Sequence, residues 1–514
     1  MKLYTLSAQQ LAEQLRNGNL TSLEIVEAYI ERIEKHNKNV NAVVVPLFLQ
    51  AREEARVLDE MAKKGKFKGP LHGIPVTIKE SIEVNETPTT WGIEGREKEI
   101  GTRDDYSVER LREAGAIILG KTNAMQLLMG CETVNPIYGR TNNPWNVERT
   151  SGGSSGGEGA AIASLFSPIG IGTDIGGSVR TPAHFCGIHS LKPTPGTIPQ
   201  YPPNNLGHIK KEAAMMSSIG PLAKTADDLK MAYEVLSHRK IDHVPLHGLT
   251  AGIWMEDGIL ATSPSIRRAV NEAAADLEKL GVNVVQYDLP SIKEAMQCFY
   301  GMMCADGGVG IIAALGSSKQ EKAVANVIRI QGFGKIKRKM ITALLKGLGQ
   351  KIVVEVILPY VGTKSDKAFS DLVKWRETYR EFVQNDMKKK GIDFIVSPVF
   401  PVPALLHDGS DQLSYEGAYN SLINFLGFAS GALSFSTVKE GEEIQLRNLK
   451  DRVNQTAMKN EENTMGLPLA VQIASFPYQE DIVLSVMKEL ETASKTRYDY
   501  PVNQVLQGLL EKSY

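Results

Sequence analysis

Two glycine-framed serines, Ser154 and Ser178, are the residues whose type and spacing most directly suggest chemistry. The first lies in Gly-Gly-Ser-Ser-Gly-Gly-Glu-Gly, and the second ends Gly-Thr-Asp-Ile-Gly-Gly-Ser. Glycine permits positive φ and close approach of the backbone, which suits a loop that presents N–H donors to an oxygen atom. We therefore expect an oxyanion hole for the tetrahedral intermediate of an acyl transfer. Its predicted donors are the backbone N–H groups of Ile175, Gly176, Gly177 and Ser178.

The same glycines allow two simpler interpretations. A phosphate-binding loop needs the pattern GxxxxGK[ST], and neither segment has that spacing or the following lysine. A structural glycine turn with a solvent-exposed serine would explain either segment alone. Because two such segments occur close together, a pair of catalytic loops is the better interpretation.

A serine nucleophile needs a general base, which is usually histidine. His184 and His189 lie nearby in the sequence, but neither has an obvious orienting carboxylate, so we interpret both as structural. Lys79 is the other candidate, because it ends the apolar run Ile-Pro-Val-Thr-Ile and burial can lower a lysine pKa by several units. A surface lysine at the end of a strand fits the same residues. Residue types alone leave both interpretations of Lys79 open.

The composition is that of a soluble globular protein. Lys plus Arg total 58 and Asp plus Glu total 59, so the net charge of −1 gives no overall attraction to nucleic acid. The first residues lack the pattern of a signal peptide, and no stretch is apolar enough for a membrane span. Four cysteines without paired or metal-ligand spacing predict buried, reduced thiols. We expect a cytoplasmic protein that uses no metal or other cofactor and binds no nucleic acid.

Alternating helices and strands must position these residues. A capping box at residues 21–24 begins a helix, and a buried strand at 74–79 ends on Lys79. A small-residue helix at 160–166 and a strand at 168–171 separate the two serines. The other predicted helices are 50–64, 105–114, 225–236, 263–280 and a final one after Gln479, and the other strands are 116–119, 251–254, 282–287, 393–398 and 469–473. This alternation predicts an α/β fold with helices on both faces of a sheet, in one large domain over residues 1–514.

Two segments resemble the motifs of the amidase signature family. Residues 71–79, Leu-His-Gly-Ile-Pro-Val-Thr-Ile-Lys, are similar to the lysine motif of that family, and residues 152–196 are similar to its core signature. Looser similarity extends over nearly the whole chain, including residues 393–404 and 466–469. The resemblance implies a central mixed β-sheet covered by helices, with a catalytic core at residues 70–200.

The resemblance also implies a role for each site residue. Ser178 matches the nucleophile and Lys79 matches the base. Ser154 matches a bridging serine that follows a cis peptide bond. The residues implied to support these groups are Ser155, Thr173, Asp174 and Arg180. The implied reaction is hydrolysis of a small-molecule carboxamide through an acyl-enzyme, in which a hydroxyl both donates and accepts and so relays a proton.

Within the family, the chain most resembles the fatty acid amide hydrolases. The segments that carry this resemblance are 135–139, 154–159 and 173–175. It implies lipophilic N-acyl or fatty acid amides as substrates, with Leu128 and Met129 beside the acyl chain. The alternative is the A subunit of the glutamine-dependent tRNA amidotransferase, which usually has threonine at the position of Ile175 and a small residue at that of Glu158. Amidases for aryl or small aliphatic amides, and an inactive member that serves as a binding protein, are further alternatives.

Residues 325–361, here called the cap, bear on how a substrate enters. Ile341, Leu344, Leu345 and Leu348 share one helical face, and lysines and arginines make the stretch basic. This composition predicts a helical cap that either contacts a membrane surface peripherally or only covers the core. For a member of this family, a homodimer would be unsurprising.

Overall fold

The computed structural model describes residues 2–200, 209–413 and 415–509. Its helices are α1 (Ala8–Arg16), α2 (Ser22–Val40), α3 (Phe48–Ala62), α4 (Tyr106–Glu113), α5 (Gly156–Ala163), α6 (Arg180–Cys186), α7 (Lys211–Ala214), α8 (Ala226–Ser237), α9 (Pro264–Lys279), α10 (Ile292–Met303), α11 (Val309–Leu315), α12 (Lys322–Gln331), α13 (Lys335–Gly347), α14 (Asp366–Lys389), α15 (Gly409–Gln412), α16 (Tyr419–Leu426), α17 (Arg452–Glu461), α18 (Glu480–Ser494) and α19 (Pro501–Gln507). Its strands are β1 (Val43–Pro46), β2 (Pro75–Lys79), β3 (Ile117–Thr122), β4 (Val134–Asn135), β5 (Gly139–Arg140), β6 (Asn142–Asn143), β7 (Asn146–Thr150), β8 (Ile169–Asp174), β9 (His189–Lys192), β10 (Ser218–Ala223), β11 (Thr250–Ile253), β12 (Asn283–Gln286), β13 (Phe394–Pro398), β14 (Ala429–Thr437) and β15 (Pro468–Ser475).

One mixed sheet of 11 strands organises the described residues, in the order β1-β3-β2-β8-β10-β9-β14-β15-β13-β11-β12. β2 is parallel to β3 and β8, and β11 is parallel to β12 and β13, whereas the strands between these two groups are antiparallel. Every residue of β2, β9, β14 and β15 is buried. Because side chains alternate between the two faces of a strand, helices must cover both faces. The predicted α/β fold with a mixed sheet is confirmed.

The predicted helices and strands are present with small shifts at their ends. The capping box is formed, since the Thr21 side chain accepts from the Glu24 N–H and the Glu24 carboxylate accepts from the Thr21 N–H. The strand predicted at 74–79 is β2, which ends on Lys79 as expected. The helix predicted after Gln479 is α18, but α19 follows it, so α18 is not the last helix.

The small-residue helix begins earlier than the sequence suggests. The sequence predicts it at 160–166, whereas α5 begins at Gly156, within the glycine-rich run. Glycine lowers helix propensity by about 1 kcal/mol per residue, which argues for a loop there. Tertiary packing overrides this preference, because a Cβ on Gly157 would lie 2.4 Å from the Asn123 backbone nitrogen. The glycine therefore lets the helix approach the chain that follows β3.

Three central strands, β9, β10 and β14, are absent from the sequence prediction. β14 consists largely of Ala, Ser, Gly and Thr, so it lacks the β-branched and aromatic residues that indicate a strand. β10 contains Pro221, which argues against an interior strand. Its pairing with β9 covers only Leu222 and Ala223, so the proline lies outside that ladder. These strands are specified by burial between neighbours rather than by their own residues.

The cap is part of a helical insertion between β12 and β13. It is helical in three pieces, comprising most of α12, the whole of α13 and a π-helical turn at Val353–Ile357. In the described ranges no helix is both long and apolar enough to cross a membrane. All four cysteines are free and buried, as expected.

Candidate active site

Lys79 lies at the edge of the sheet where three parallel strands end. β2 ends at Lys79, β3 ends beside it at Thr122, and β8 ends at Asp174. The carboxyl ends of parallel strands are where α/β proteins commonly place their reactive groups. The Lys79 ammonium group donates to Ser154 Oγ at 2.7 Å and to Thr173 Oγ1 at 2.9 Å. The structure thus brings together three of the predicted site residues.

Burial makes Lys79 a usable base. Its side chain is fully buried, and desolvation lowers its pKa to about 7. Asp174, Glu158 and Glu80 act in the opposite direction, because their negative charges favour the ammonium form. A lysine with a pKa near neutrality is unprotonated in a substantial fraction of molecules at pH 7. The surface-lysine interpretation is wrong.

Ser154 is held at the start of α5 by an unusual backbone. The peptide bond between Gly153 and Ser154 is cis, as the resemblance implies. A Cβ on Gly153 would lie 2.0 Å from the Glu132 carbonyl oxygen, so only glycine fits there. The next residue joins the two serine loops, since the Ser155 N–H donates to the Ser178 carbonyl at 3.2 Å and the Ser155 hydroxyl to the Thr173 carbonyl at 3.3 Å.

The loop before Ser178 is shaped by the carboxylate of Asp174. This carboxylate accepts from the N–H of Gly177 at 2.9 Å and from that of Val179 at 3.1 Å. The Gly177 N–H, one of the four predicted oxyanion donors, is therefore already occupied. Residues Ile175, Gly176 and Ser178 line the adjacent cavity, and Gly177 does not. The structure thus leaves three of the four predicted N–H groups available to a substrate oxygen.

Asp174 is fixed in turn by a buried ion pair with Arg180. Both side chains are completely buried, and the guanidinium binds the carboxylate through two hydrogen bonds of 2.9 and 3.1 Å. Burial alone would raise the pKa of Asp174, but the guanidinium outweighs it and holds that pKa well below its usual range. Arg180 also donates to Gln472 Oε1 at 2.6 Å and to Asn424 Oδ1. This network ties the serine loop to β15 and α16.

Ser154 and Ser178 line one cavity of about 310 Å³. The Ser178 hydroxyl is half-buried and has no hydrogen-bond partner among the described residues, so it faces the cavity unengaged. Leu128 and Met129, predicted to contact substrate, line the same cavity. Most of its other lining is apolar and includes cap residues, among them Val327, Ile330, Val353, Ile357 and Val361. The cap predicted from the sequence therefore forms part of the cavity wall.

The two histidines considered as bases lie elsewhere in hydrogen-bonded positions. His184 Nδ1 accepts from the Ala470 N–H at 2.9 Å, and His189 Nδ1 accepts from the Ser434 N–H at 3.0 Å. Burial lowers the pKa of His184 to about 4 and that of His189 to about 3. Both rings join backbone segments in the core, in agreement with the structural interpretation.

Two carboxyl groups near this site have no role in the sequence prediction. Glu158 lies in the first turn of α5 and accepts hydrogen bonds from the hydroxyls of Thr77 and Thr122, each at 2.7 Å. It stands out as the one charged residue within the glycine-rich run, which is a signal that could have identified it. Glu416 also lines the cavity, but nothing in its local sequence indicates this, because it is brought there by long-range packing.

Comparison with known proteins identifies the family. The family model described as Amidase matches residues 24–484. The chain belongs to the amidase family. As an amidase-family enzyme it is similar to fatty acid amide hydrolase 1 of Caenorhabditis elegans, with 31% identity over 519 residues that cover 95% of this chain and 88% of that protein.

Other relatives of this amidase carry different names. The A subunit of the glutamyl-tRNA(Gln) amidotransferase of Fusobacterium nucleatum is 28% identical, and the match covers 95% of this chain and 96% of that protein. Among solved structures, a fatty acid amide hydrolase superimposes with a TM-score of 0.79 at 24% identity, covering 95% of this chain and 85% of that one. At this identity the structural likeness shows the shared fold.

Proposed function

We propose that this amidase hydrolyses the C–N bond of lipophilic carboxamides through an acyl-enzyme on Ser178. The observation that carries the proposal is the 2.7 Å contact between the buried Lys79 ammonium group and Ser154 Oγ, at the end of an apolar cavity that Ser178 also lines. The resemblance of the lysine motif and the core signature to those of the amidase signature family supports the same assignment.

The proposed first step is acylation. Neutral Lys79 takes the proton of the Ser154 hydroxyl, which in turn takes the proton of Ser178, whose Oγ attacks the amide carbon. The N–H groups of Ile175, Gly176 and Ser178 stabilise the negative charge that develops on the carbonyl oxygen. Ser154 then passes a proton from the Lys79 ammonium to the leaving nitrogen, so that the C–N bond breaks and the amine or ammonia departs.

Deacylation uses the same relay. Water loses a proton through Ser154 to Lys79 and attacks the acyl carbon as Ser178 Oγ leaves. The proton then returns from Lys79 through Ser154 to Ser178, which restores the resting state and releases the carboxylic acid. A hydroxyl suits the relay position because it donates and accepts at once. A lysine pKa near 7 suits the base, because proton transfer is then feasible in both directions.

The cavity lining favours a lipophilic substrate over glutamine. A site for free glutamine needs a cation for the α-carboxylate, whereas the described residues that line the cavity include no lysine, arginine or histidine. Long apolar side chains from the cap and from Leu128 and Met129 would instead bury the methylenes of an acyl chain. Each buried methylene contributes about 0.8 kcal/mol to binding.

A substrate panel tests this proposal. Primary fatty amides, N-acylethanolamines, N-acyl amino acids, aryl amides and glutamine should be ranked by kcat/KM. We expect the long-chain amides to rank first, and an activated-serine probe to label Ser178. A preference for glutamine or for short amides would contradict the substrate class. Absence of labelling at Ser178 in an active protein would contradict the nucleophile.

We also propose that the cap contacts a membrane surface peripherally. Ile336, Met340, Leu344 and Leu348 recur every fourth residue along α13 and are 79%, 69%, 63% and 61% exposed. Leu344 and Leu348 belong to the face predicted from the sequence. The other two residues of that face, Ile341 and Leu345, are half-buried beside the stripe, so the stripe differs from the predicted face. Lysines flank the stripe, so an anionic lipid surface would complement it in both polarity and charge.

Vesicle co-sedimentation distinguishes a membrane-facing cap from one that only covers the core. Phosphatidylglycerol-containing vesicles at low salt should bind the wild-type protein. The double variant Leu344→Ser/Leu348→Ser should bind several-fold less. Leu49→Ser, which changes a leucine on α3 that is 75% exposed, should bind like the wild type. If the wild-type protein stays in the supernatant, the membrane proposal is wrong. A stripe-dependent dimer in light scattering would assign the surface to a second copy of the chain.

A further inference from the structure

One carboxyl group, that of Glu416, lines a cavity that is otherwise apolar or neutral. Among the described lining residues no other is acidic and none is basic. The groups that act on the Glu416 carboxyl are Cys131 and Glu132, neither of which supplies a positive charge. Removing a carboxyl from water without a cation or several hydrogen bonds is costly. Its retention on the cavity wall points to a ligand that supplies a further donor.

Glu416 lies at the serine end of the cavity. Its carboxyl is within hydrogen-bonding reach of the Cys131 side chain and backbone. Cys131 immediately precedes Glu132, whose carbonyl oxygen is the atom that excludes any side chain at Gly153. Gly153 and Ser154 line the same cavity. This chain of contacts places the carboxyl on the side of the cavity that Gly153 and Ser154 line.

We propose that Glu416 forms a subsite for a hydrogen-bond donor carried by the leaving amine of the substrate, such as a hydroxyl or an ammonium group. The inference rests on the amide hydrolysis proposed above. The acyl chain would extend along the apolar wall, and the leaving amine would remain beside the serines, within reach of Glu416. An amide without the donor would displace water from the carboxyl and leave it with Cys131 alone, which is how a polar site disfavours an analogue.

The two kinds of donor make different demands on the carboxyl. A hydroxyl can donate to either the ionised or the protonated group, whereas an ammonium gains a charge-assisted bond only from the ionised group. Burial raises the pKa of Glu416, so the protonated form persists to higher pH than in a solvent-exposed glutamate. The preference for an ammonium should therefore grow as the pH rises, and that for a hydroxyl should change less.

Four decanamides that differ only in the leaving amine test the subsite: N-(2-hydroxyethyl), N-(2-aminoethyl), N-(2-methoxyethyl) and N-propyl. The wild-type protein should hydrolyse the hydroxyethyl amide with a kcat/KM roughly tenfold or more above that of the methoxyethyl amide. Glu416→Leu should bring this ratio close to one. Glu416→Gln should keep part of the hydroxyl preference and lose any ammonium preference. Leu413→Val, on the same wall, should leave both ratios unchanged.

The ratios separate the subsite from a structural role of Glu416. A general disturbance of the structure would lower kcat/KM for all four substrates together, whereas loss of the subsite would lower kcat/KM only for the substrates that carry a donor. A wild-type ratio near one, or a ratio that survives Glu416→Leu, would overturn the subsite. The activated-serine probe is applied to each variant in parallel. Failure to label Ser178 in the wild-type protein would overturn the proposed function instead, which makes the two failures distinguishable.

Discussion

The floor and the roof of the cavity are built in opposite ways. The floor comprises Lys79, Ser154, Ser178, Asp174 and Arg180. Apart from the unengaged Ser178 hydroxyl, its polar groups are fixed by buried hydrogen bonds of 2.6 to 3.2 Å. The roof is the cap, which contributes apolar side chains to the cavity and exposes others to solvent. Buried polar networks tolerate little change, whereas apolar surfaces accept many shapes. We infer that the floor sets the reaction and the roof sets the substrate.

The relatives agree with this division. Proteins named as fatty acid amide hydrolase, acetamidase and component of a tRNA amidotransferase match most of the chain at 28–31% identity. Their names share the amide group and differ in the molecule that carries it. A reaction set by the floor and a substrate set by the roof would produce this pattern within one fold.

The largest effect on activity should come from removing the Ser178 hydroxyl on the floor. Ser178→Ala deletes the atom proposed to form the acyl-enzyme, so hydrolysis of every amide in the panel should be lost. Lys79→Ala removes the proposed base, so nearly all of the amide hydrolysis should be lost. Steady-state rates on a primary fatty amide provide the measurement, and circular dichroism checks the fold. Full activity in either variant would refute the assignment of the floor as the reactive part.

The next largest effect should come from Asp174→Asn. It leaves the Arg180 guanidinium as a buried charge without its counter-ion, which costs about 3–5 kcal/mol of unfolding free energy. It also loosens the N–H groups of the serine loop, so kcat should fall more than KM rises. The control is Glu461→Gln, which breaks a buried pair with Arg447 away from the cavity. That variant should lose comparable stability in denaturant titrations while its kcat stays near that of the wild type.

The floor was much easier to predict from the sequence than the roof. Ser154 and Ser178 are marked by the glycines around them, and the family resemblance gave Lys79 its role. Residue types alone could not show that Lys79 is buried, because the burial depends on β3, β8 and α5 packing around it. Residues that reach the site through long-range packing, such as Gln472, Asn424 and Glu416, left no local signal. The exposed stripe of α13 also differs from the predicted face, because the neighbours of a helix decide which side is covered.

The pH dependence should report the ionisation of Lys79. The proposed base is the neutral amine, so kcat/KM should rise with pH through about 7 and level off above it. Below that pH each further unit should cost about tenfold, because the ammonium form accumulates. A pH–rate profile measured with an uncharged amide gives this rising limb of the profile without any contribution from ionisation of the substrate. A flat profile from pH 5 to pH 9 would contradict a lysine base with a lowered pKa.

Glu158→Gln should move this limb by a smaller amount. Thr77 lies two residues before Lys79 on β2, and Thr122 lies beside Lys79 on β3, so the Glu158 carboxyl that they bind is close to the amine. Burial raises the pKa of Glu158 to about 8, and its ionised form favours the ammonium form of Lys79. Since a pKa of about 8 leaves Glu158 only partly ionised around pH 7, removing its carboxylate should shift the limb to lower pH by less than about one unit.

A matched control keeps the Glu158 result interpretable. Glu132→Gln removes a buried carboxyl that is not among the groups acting on Lys79, and it should leave the limb in place. If Glu158→Gln shifts the limb to higher pH, or lowers the plateau without moving the limb, then the carboxyl acts through packing and not through its charge on Lys79.

The smallest effect should come from the outer surface of the roof. Met340 is 69% exposed on α13, so Met340→Ser should change the free energy of unfolding by no more than about 0.5 kcal/mol. Met302, on α10 beneath the cap, is fully buried, and Met302→Ser should cost about 2–5 kcal/mol because it opens a cavity and buries a hydroxyl. Urea titration of both variants gives the comparison directly. If Met340→Ser proves as costly as Met302→Ser, then the stripe is covered in solution, and the outer surface of the roof is an interface with a second copy of the chain.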